Sequence, residues 1–231
     1  MKLDNKEFGF DRFSDEMEKL KRDQHFDYLV TIIGEDFGPE EGLGCIYILE
    51  NTESHERMSV KQIAKTVGDE YVIPSVIKLW ADADLLEREV FDFLGIKFLG
   101  HPDMRRLFMR NDFTGYPLRK DFDMSPEANL FPMTDEPETD WTSEWNLDQN
   151  GELVETRHQL FDSDDYVINF GPNHPSTHGV LRLKTIVDGE TIKRVYPHLG
   201  YIHRGMEKMM EDMTYPQTLA LTDRLNYLCA M

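Results

Sequence analysis

Cysteine is nearly missing from this chain. Only Cys45 and Cys229 occur in 231 residues, too few for a disulfide framework or a CxxC metal site, and reduced thiols are the expected state. Long apolar runs are missing too. No stretch approaches the roughly 18 residues that span a bilayer, and the opening Met1-Lys2-Leu3-Asp4-Asn5-Lys6 lacks the apolar core of a signal peptide. Any membrane link is therefore expected to run through a partner protein. Positive charge is in deficit, with 25 Lys and Arg against 44 Asp and Glu and a net charge of −19. That balance argues against nucleic acid, whose phosphates need clustered cations. No glycine-rich dinucleotide loop occurs, so neither NADH nor flavin is expected to bind this chain.

What is present divides into three parts. Residues 1–124 carry 26 acidic and 17 basic side chains, residues 125–165 carry 12 and one, and residues 166–231 carry 6 and 7. The net charges are thus −9, −11 and +1, so two ordered regions flank an acidic connector. Hydrophobic residues make up 40% of the chain, enough for a packed core. In the first region Phe13–Arg22 reads as a short helix with Ser14 as N-cap. Phe26–Gly34, Leu43–Asn51 and Arg57–Ala64 read as strands separated by Gly and Pro. Val76–Leu94 reads as two helical pieces broken near Ala81–Asp84. Strands with helices on one face predict an α+β domain.

Periodicity disappears between Asp121 and Asp165, yet Phe131, Trp141 and Trp145 remain, which a plain linker would lack. The expectation is an extended arm anchored on another surface by these rings. Beyond it, Tyr166–Phe170 and Val180–Val187 read as strands, with Asp188-Gly189 as a hairpin turn. From Gly205 onward the pattern is helical, with Met206, Met209, Met210 and Met213 as expected core. The apolar pattern continues through Leu219, Leu221, Leu225 and Leu228 to Met231 without a cap or glycine stop. This is read as a domain cut short.

Two motif clusters carry the functional reading. The first contains Glu87-Arg88-Glu89-Val90-Phe91-Asp92, then Gly95-Ile96, His101-Pro102-Asp103-Met104-Arg105-Arg106-Leu107 and Gly115–Phe122. Spacing alone reads its charges as a solvated helix face, with Arg88 and Asp92 as an i,i+4 pair. The second is Gly171-Pro172-Asn173-His174-Pro175-Ser176-Thr177-His178-Gly179, followed by His198, by Tyr201–Lys208 and by Asp223-Arg224-Leu225-Asn226-Tyr227. Its prolines and Gly179 argue against a regular helix around His174 and His178. A structural loop, a functional polar loop and a metal site all stay open from spacing. His198 and His203 read as hydrogen-bonded histidines at a strand end.

Taken together, the first cluster resembles the signature of the C-type subunits of respiratory complex I, the NADH:quinone oxidoreductase. The second resembles the opening of its D-type subunits, in the order C then D on one chain. The resemblance implies an α+β architecture: a C-like domain over 1–124, an extended acidic arm over 125–165, and over 166–231 the start of a D-like domain, a β-hairpin plus helical bundle. It implies a bracing role for the C-like part, with Arg105, Arg106, Arg119 and Lys120 as ion-pair donors. It implies that His174, His178 and Tyr227 face a quinone, with His178 and Tyr227 catalytic, and that Arg204 lies beside the terminal iron–sulfur cluster of a partner protein. Asn226 stands where the family commonly carries Asp.

No cofactor is expected on this chain itself. NADH, FMN and iron–sulfur clusters would sit in partner subunits, chiefly the one bearing the terminal cluster, with membrane-arm subunits as further partners. The expected location is peripheral, on the cytoplasmic face of a bacterial plasma membrane. The D-type family in turn resembles the large subunit of nickel–iron hydrogenases through Arg204-Gly205-Met206-Glu207. Asn226-Tyr227-Leu228-Cys229 has only one of the two cysteines needed there, so nickel is not expected. The rival readings are a cofactor-free assembly or scaffold protein, and a metal-dependent hydrolase using His174, His178, His198 and His203.

Overall fold

Helix α1 (Phe10–Arg22) buries Phe13, Met17 and Leu20, a spacing of four and three that places all three on one face. The helix starts a turn earlier than the sequence predicts. Gly9 occupies the N-cap without a side-chain cap, so Ser14 lies inside the helix. This computed structural model describes residues 4–123, 140–162, 164–174 and 179–222.

The face of α1 packs on a four-stranded sheet. Strands β1 (Asp4–Glu7), β2 (Tyr28–Asp36), β3 (Leu43–Glu50) and β4 (Arg57–Ile63) stand in the order β1-β4-β3-β2. Strand β1 runs parallel to β4, and the other pairs are antiparallel. The two-residue alternation of β3 turns Cys45, Tyr47 and Leu49 into the core, all fully buried. Tyr47 meets Phe13 with ring centroids 5.3 Å apart.

A second sheet follows. Strands β5 (Lys65–Val67), β6 (Glu70–Pro74), β7 (Ile96–Leu99), β8 (Trp141–Leu147) and β9 (Leu153–Gln159) pair in that order. Helix α2 (Ala83–Leu94) links β6 to the parallel β7, the crossover that parallel pairing requires. The sequence reading missed β5, β6 and β7, which are too short to show a period. It also expected two helical pieces from Val76 to Leu94. The first is only a turn, closed by Leu79 and Trp80 amides on the Val76 carbonyl. In the acidic stretch, residues 141–159 form a regular hairpin where no periodicity was legible. Its anchors Trp141 and Trp145 lie on β8, while Phe131 lies outside the described residues.

The last part is smaller. Strands β10 (Tyr166–Phe170), β13 (Arg182–Asp188) and β14 (Thr191–His198) form an antiparallel sheet, beside a short ladder of β11 (Asn173–His174) and β12 (Gly179–Val180). The β13–β14 turn falls on Gly189 and Glu190, with Asp188 facing Thr191, one residue past the expected site. Helices α3 (Met206–Glu211) and α4 (Tyr215–Thr222) bury no residue fully. Met206, Met209 and Met210 are only half-buried and Met213 is exposed, against the expected methionine core. No helix among the described residues is long and apolar enough to cross a membrane. The overall class is α+β, as expected.

Candidate functional site

The charges of α2 are not a solvated face. Glu87 and Asp92 are fully buried and Arg88 nearly so, because this helix lies between the first sheet and the loop of residues 101–122. Burying a charge costs free energy unless partners surround it, and the partners come from that loop. One Asp92 carboxylate oxygen accepts the backbone N–H groups of Leu107, Phe108 and Met109 at 2.6–3.0 Å. The other accepts from Arg106 at 2.9 Å. Arg88 does not pair with Asp92 as the i,i+4 spacing predicts. It donates to the Arg105 and Arg106 carbonyls and lies 3.6 Å from Asp103.

Asp103 is the second centre of this lock. Burial alone would raise its pKa. The bidentate contact from Arg105 at 2.7 and 2.6 Å, the Arg88 charge and the Thr142 hydroxyl at 2.7 Å outweigh burial and hold the carboxyl well below the usual range. Glu87 behaves in the opposite way. Burial pushes it up to about 7, despite hydrogen bonds from the Ser75 hydroxyl at 2.6 Å and the Val76 amide at 2.7 Å. His101 lies 3.9 Å away, but its Nδ1 accepts the Asp103 N–H at 3.0 Å. The imidazole draws the Glu87 pKa down, yet by less than burial raises it.

Arg119 and Arg106 complete the loop. Arg119 donates to the Leu94 carbonyl at 2.6 Å and stacks over Tyr116. Arg106 also reaches the Phe113 and Gly115 carbonyls. Lys120 contributes its backbone N–H to Asp36. The implied ion-pair donors Arg105 and Arg106 are therefore spent inside the chain.

The organised loop presents Phe108, and residues 197–209 close on it. The His203 ring lies 5.1 Å from the Phe108 ring and 5.3 Å from the Phe93 ring. Two open clefts flank this contact. One, of about 280 Å³, lies between Arg88, Arg105, Arg106 and Arg110 on one wall and His198 and Tyr201 on the other. Each of these arginines has a carboxylate partner, with Arg110 bidentate on Asp112. The other, of about 330 Å³, is more apolar and is lined by Phe93, Phe113, Phe122, His203, Arg204 and Met209.

Of the residues singled out from sequence, His178, Asn226 and Tyr227 lie outside the described residues. His174 is placed by its backbone on β11. His198 ends β14, as expected. Arg204 is exposed at the mouth of the apolar cleft, beside His203. Among the described residues, no three His, Cys, Asp or Glu side chains come together in a metal-binding arrangement. Sequence reasoning missed Glu87, Asp103 and His101 as structural centres. The available signal was the mixture of carboxylates with Val90, Phe91, Phe93 and Leu94, which leaves α2 no wholly polar face.

Comparison with known proteins places this geometry. The family model described as respiratory-chain NADH dehydrogenase, 30 Kd subunit, matches residues 9–128, more than half of the chain. The chain belongs to this family. The match to the 30 Kd subunit spans α1, strands β2 to β4 of the first sheet, α2 and the whole charged loop. The chain is also similar to the NADH-quinone oxidoreductase C/D subunit of Phocaeicola vulgatus, 50% identical over 97% of this chain and 42% of the relative. The C/D subunit of Bacteroides thetaiotaomicron is 48% identical over 94% of this chain and 42% of the relative. The chain thus spans less than half the length of the curated relatives it matches. A solved trypsin-resistant fragment of Nqo5 aligns at 31% identity over 42% of this chain and 79% of that chain, with a TM-score of 0.39. Within the 30 Kd subunit family match, the arginines and carboxylates serve one another.

Proposed function

We propose that this chain is the leading part of a fused C/D subunit of complex I, and that it helps form the site where quinone is reduced. Residues 1–124 form the C-like brace, 125–165 an acidic connector whose β8–β9 hairpin extends the second sheet of that brace, and 166–231 the opening of the D-like domain. The observation that carries this reading is the 50% identity to a C/D subunit over 97% of the chain, which runs through both motif clusters in one order. The complex passes electrons from NADH through partner-held FMN and iron–sulfur clusters to quinone and couples this to proton translocation. The chain works peripherally, on the cytoplasmic face of the bacterial membrane, against the partner bearing the terminal cluster and against the membrane arm.

The residue chemistry suits this role. A quinone carbonyl only accepts hydrogen bonds, and its reduction requires protons. The His178 imidazole and the Tyr227 phenol are donors of that kind, and histidine titrates near working pH. His174 stands four residues before His178 in the same sequence motif. Arg204 presents a permanent cation at the exposed mouth of a cleft, which fits a neighbour that becomes more negative on reduction. In the full-length complex, Tyr227→Phe should sharply lower quinone reductase activity and leave NADH-to-ferricyanide transfer intact. Loss of both activities, or of neither, would overturn the assignment.

The scaffold reading keeps one supporting observation, namely that the buried charges of residues 87–110 are satisfied internally. It predicts that Tyr227→Phe complexes assemble and reduce quinone at the normal rate.

A further inference from the structure

Arg204 is exposed, and both of its neighbours are held. The preceding residue, His203, inserts its ring against Phe93 of α2 and Phe108 of the charged loop, at 5.3 and 5.1 Å, nearly parallel to Phe108. Its Nδ1 accepts the N–H of Gly205 at 3.3 Å, a bond that spans Arg204 and leaves the proton on Nε2. Nε2 in turn faces Glu207 at 3.2 Å. The following residue, Gly205, adopts a left-handed φ of 63° and starts α3. The His203 N–H closes a turn on the Gly200 carbonyl at 2.9 Å. Gly200 itself lies so close to the Phe108 backbone that a Cβ there would collide with the Phe108 carbonyl oxygen. Lys208 adds a contact to the Arg119 carbonyl.

These contacts share a direction. The His203 ring, the Gly200 backbone and the Lys208 ammonium reach residues of the N-terminal domain, and Phe108 is itself placed by the Asp92 carboxylate through its N–H at 2.6 Å. The energy of a charge beside a redox centre falls with distance, so an exposed arginine can tune such a centre only where its backbone cannot drift. The Phe93 and Phe108 rings are themselves stacked at 5.6 Å, and packing of the imidazole against both members of that pair supplies the restraint.

We propose that His203, packed against the stacked Phe93–Phe108 pair, is the positioning residue for Arg204, so that the C-like domain sets the distance between this cation and the partner's terminal iron–sulfur cluster. The inference rests on the complex I reading above. It adds a role for the brace beyond holding subunits together, because the brace sets a redox property of the partner's cluster.

The test uses the full-length complex and reads the midpoint potential of the terminal cluster by redox titration. Arg204→Met should lower the potential. Phe108→Leu should lower it in the same direction by a substantial part of that shift, and Phe108→Tyr, which keeps the stack, should leave it near wild type. If Phe108→Leu prevents assembly, His203→Leu carries the same test, since it removes the ring that packs on Phe93 and Phe108. A shift with Arg204→Met but none with Phe108→Leu or His203→Leu overturns the positioning role and leaves the complex I reading standing. No shift with Arg204→Met overturns the placement of Arg204 and the inference with it.

Discussion

Asp92 shows how much one side chain can organise. Its two oxygens serve three backbone N–H groups and one guanidinium, so removing it strands several buried donors at once. Breaking a buried pair on one side typically costs about 3–5 kcal/mol, and Asp92→Ala should lose stability on that scale in denaturant titration. Glu87 and Asp103 set opposite pH dependences. The Glu87 pKa is raised to about 7, so its stabilising contribution is full below the ordinary carboxylate pKa and is lost as pH rises towards 7. That contribution is about 3 kcal/mol at most. Glu87→Gln should flatten the stability profile between pH 5 and pH 8 in thermal melts, with its largest relative gain at pH 8. Asp103 is held below its usual range, so its contribution is present above the ordinary value and fades only as pH falls through the lowered one. Asp103→Asn should therefore destabilise the chain at pH 7 and have less effect in strong acid.

Among elements, α2 and the β8–β9 hairpin matter most. Helix α2 stops at Gly95, whose φ of 73° is left-handed and whose N–H closes on the Phe91 carbonyl at 2.8 Å. A Cβ at Gly95 would also sit 2.5 Å from the Tyr116 ring. Left-handed conformation costs an L-residue about 1–2 kcal/mol, and Gly95→Ala should cost at least that in chemical unfolding. The hairpin shares one register pair with β7, Leu99 with Trp145. It gains further hold from Lys97, which is buried over the Trp145 ring at 3.7 Å and bridged to Glu70 at 2.9 Å. Such a desolvated cation–π contact is worth about 2 kcal/mol. Trp145→Ala should accelerate hydrogen exchange in β8 and β9 and spare β2, β3 and β4.

For the whole molecule, the described residues form two unequal cores. The large core holds Phe13, Tyr47, Ile73 and Phe98, while the small one holds Leu160, Phe161 and Ile186. Buried apolar area stabilises at about 25 cal/mol per Å², so the second unit has little stability of its own and leans on the first. His203→Leu should raise hydrogen exchange across residues 197–211 without changing that of the first sheet. The exposed Tyr215, Leu219 and Ile202 belong to the same poorly covered end.

Strong local patterns were readable directly from the residues. The long strands β2, β3 and β4 announce themselves through Val, Ile and Tyr, and the α+β class follows from them. The motif order from Glu87 to Phe122 and then from Gly171 to Tyr227 carried the family. Short strands and the fate of the α2 charges were not readable. Glu87, Arg88 and Asp92 carry the same letters as a solvated face. Whether a charge is buried depends on what lies over it, and here that cover comes from a loop that follows the helix. Only tertiary packing brings His101, Asp103 and Arg106 back onto α2, and only it places His203 against two rings more than ninety residues earlier in the chain. Charge type and local period are properties of neighbours in sequence, whereas desolvation and pairing are properties of neighbours in space.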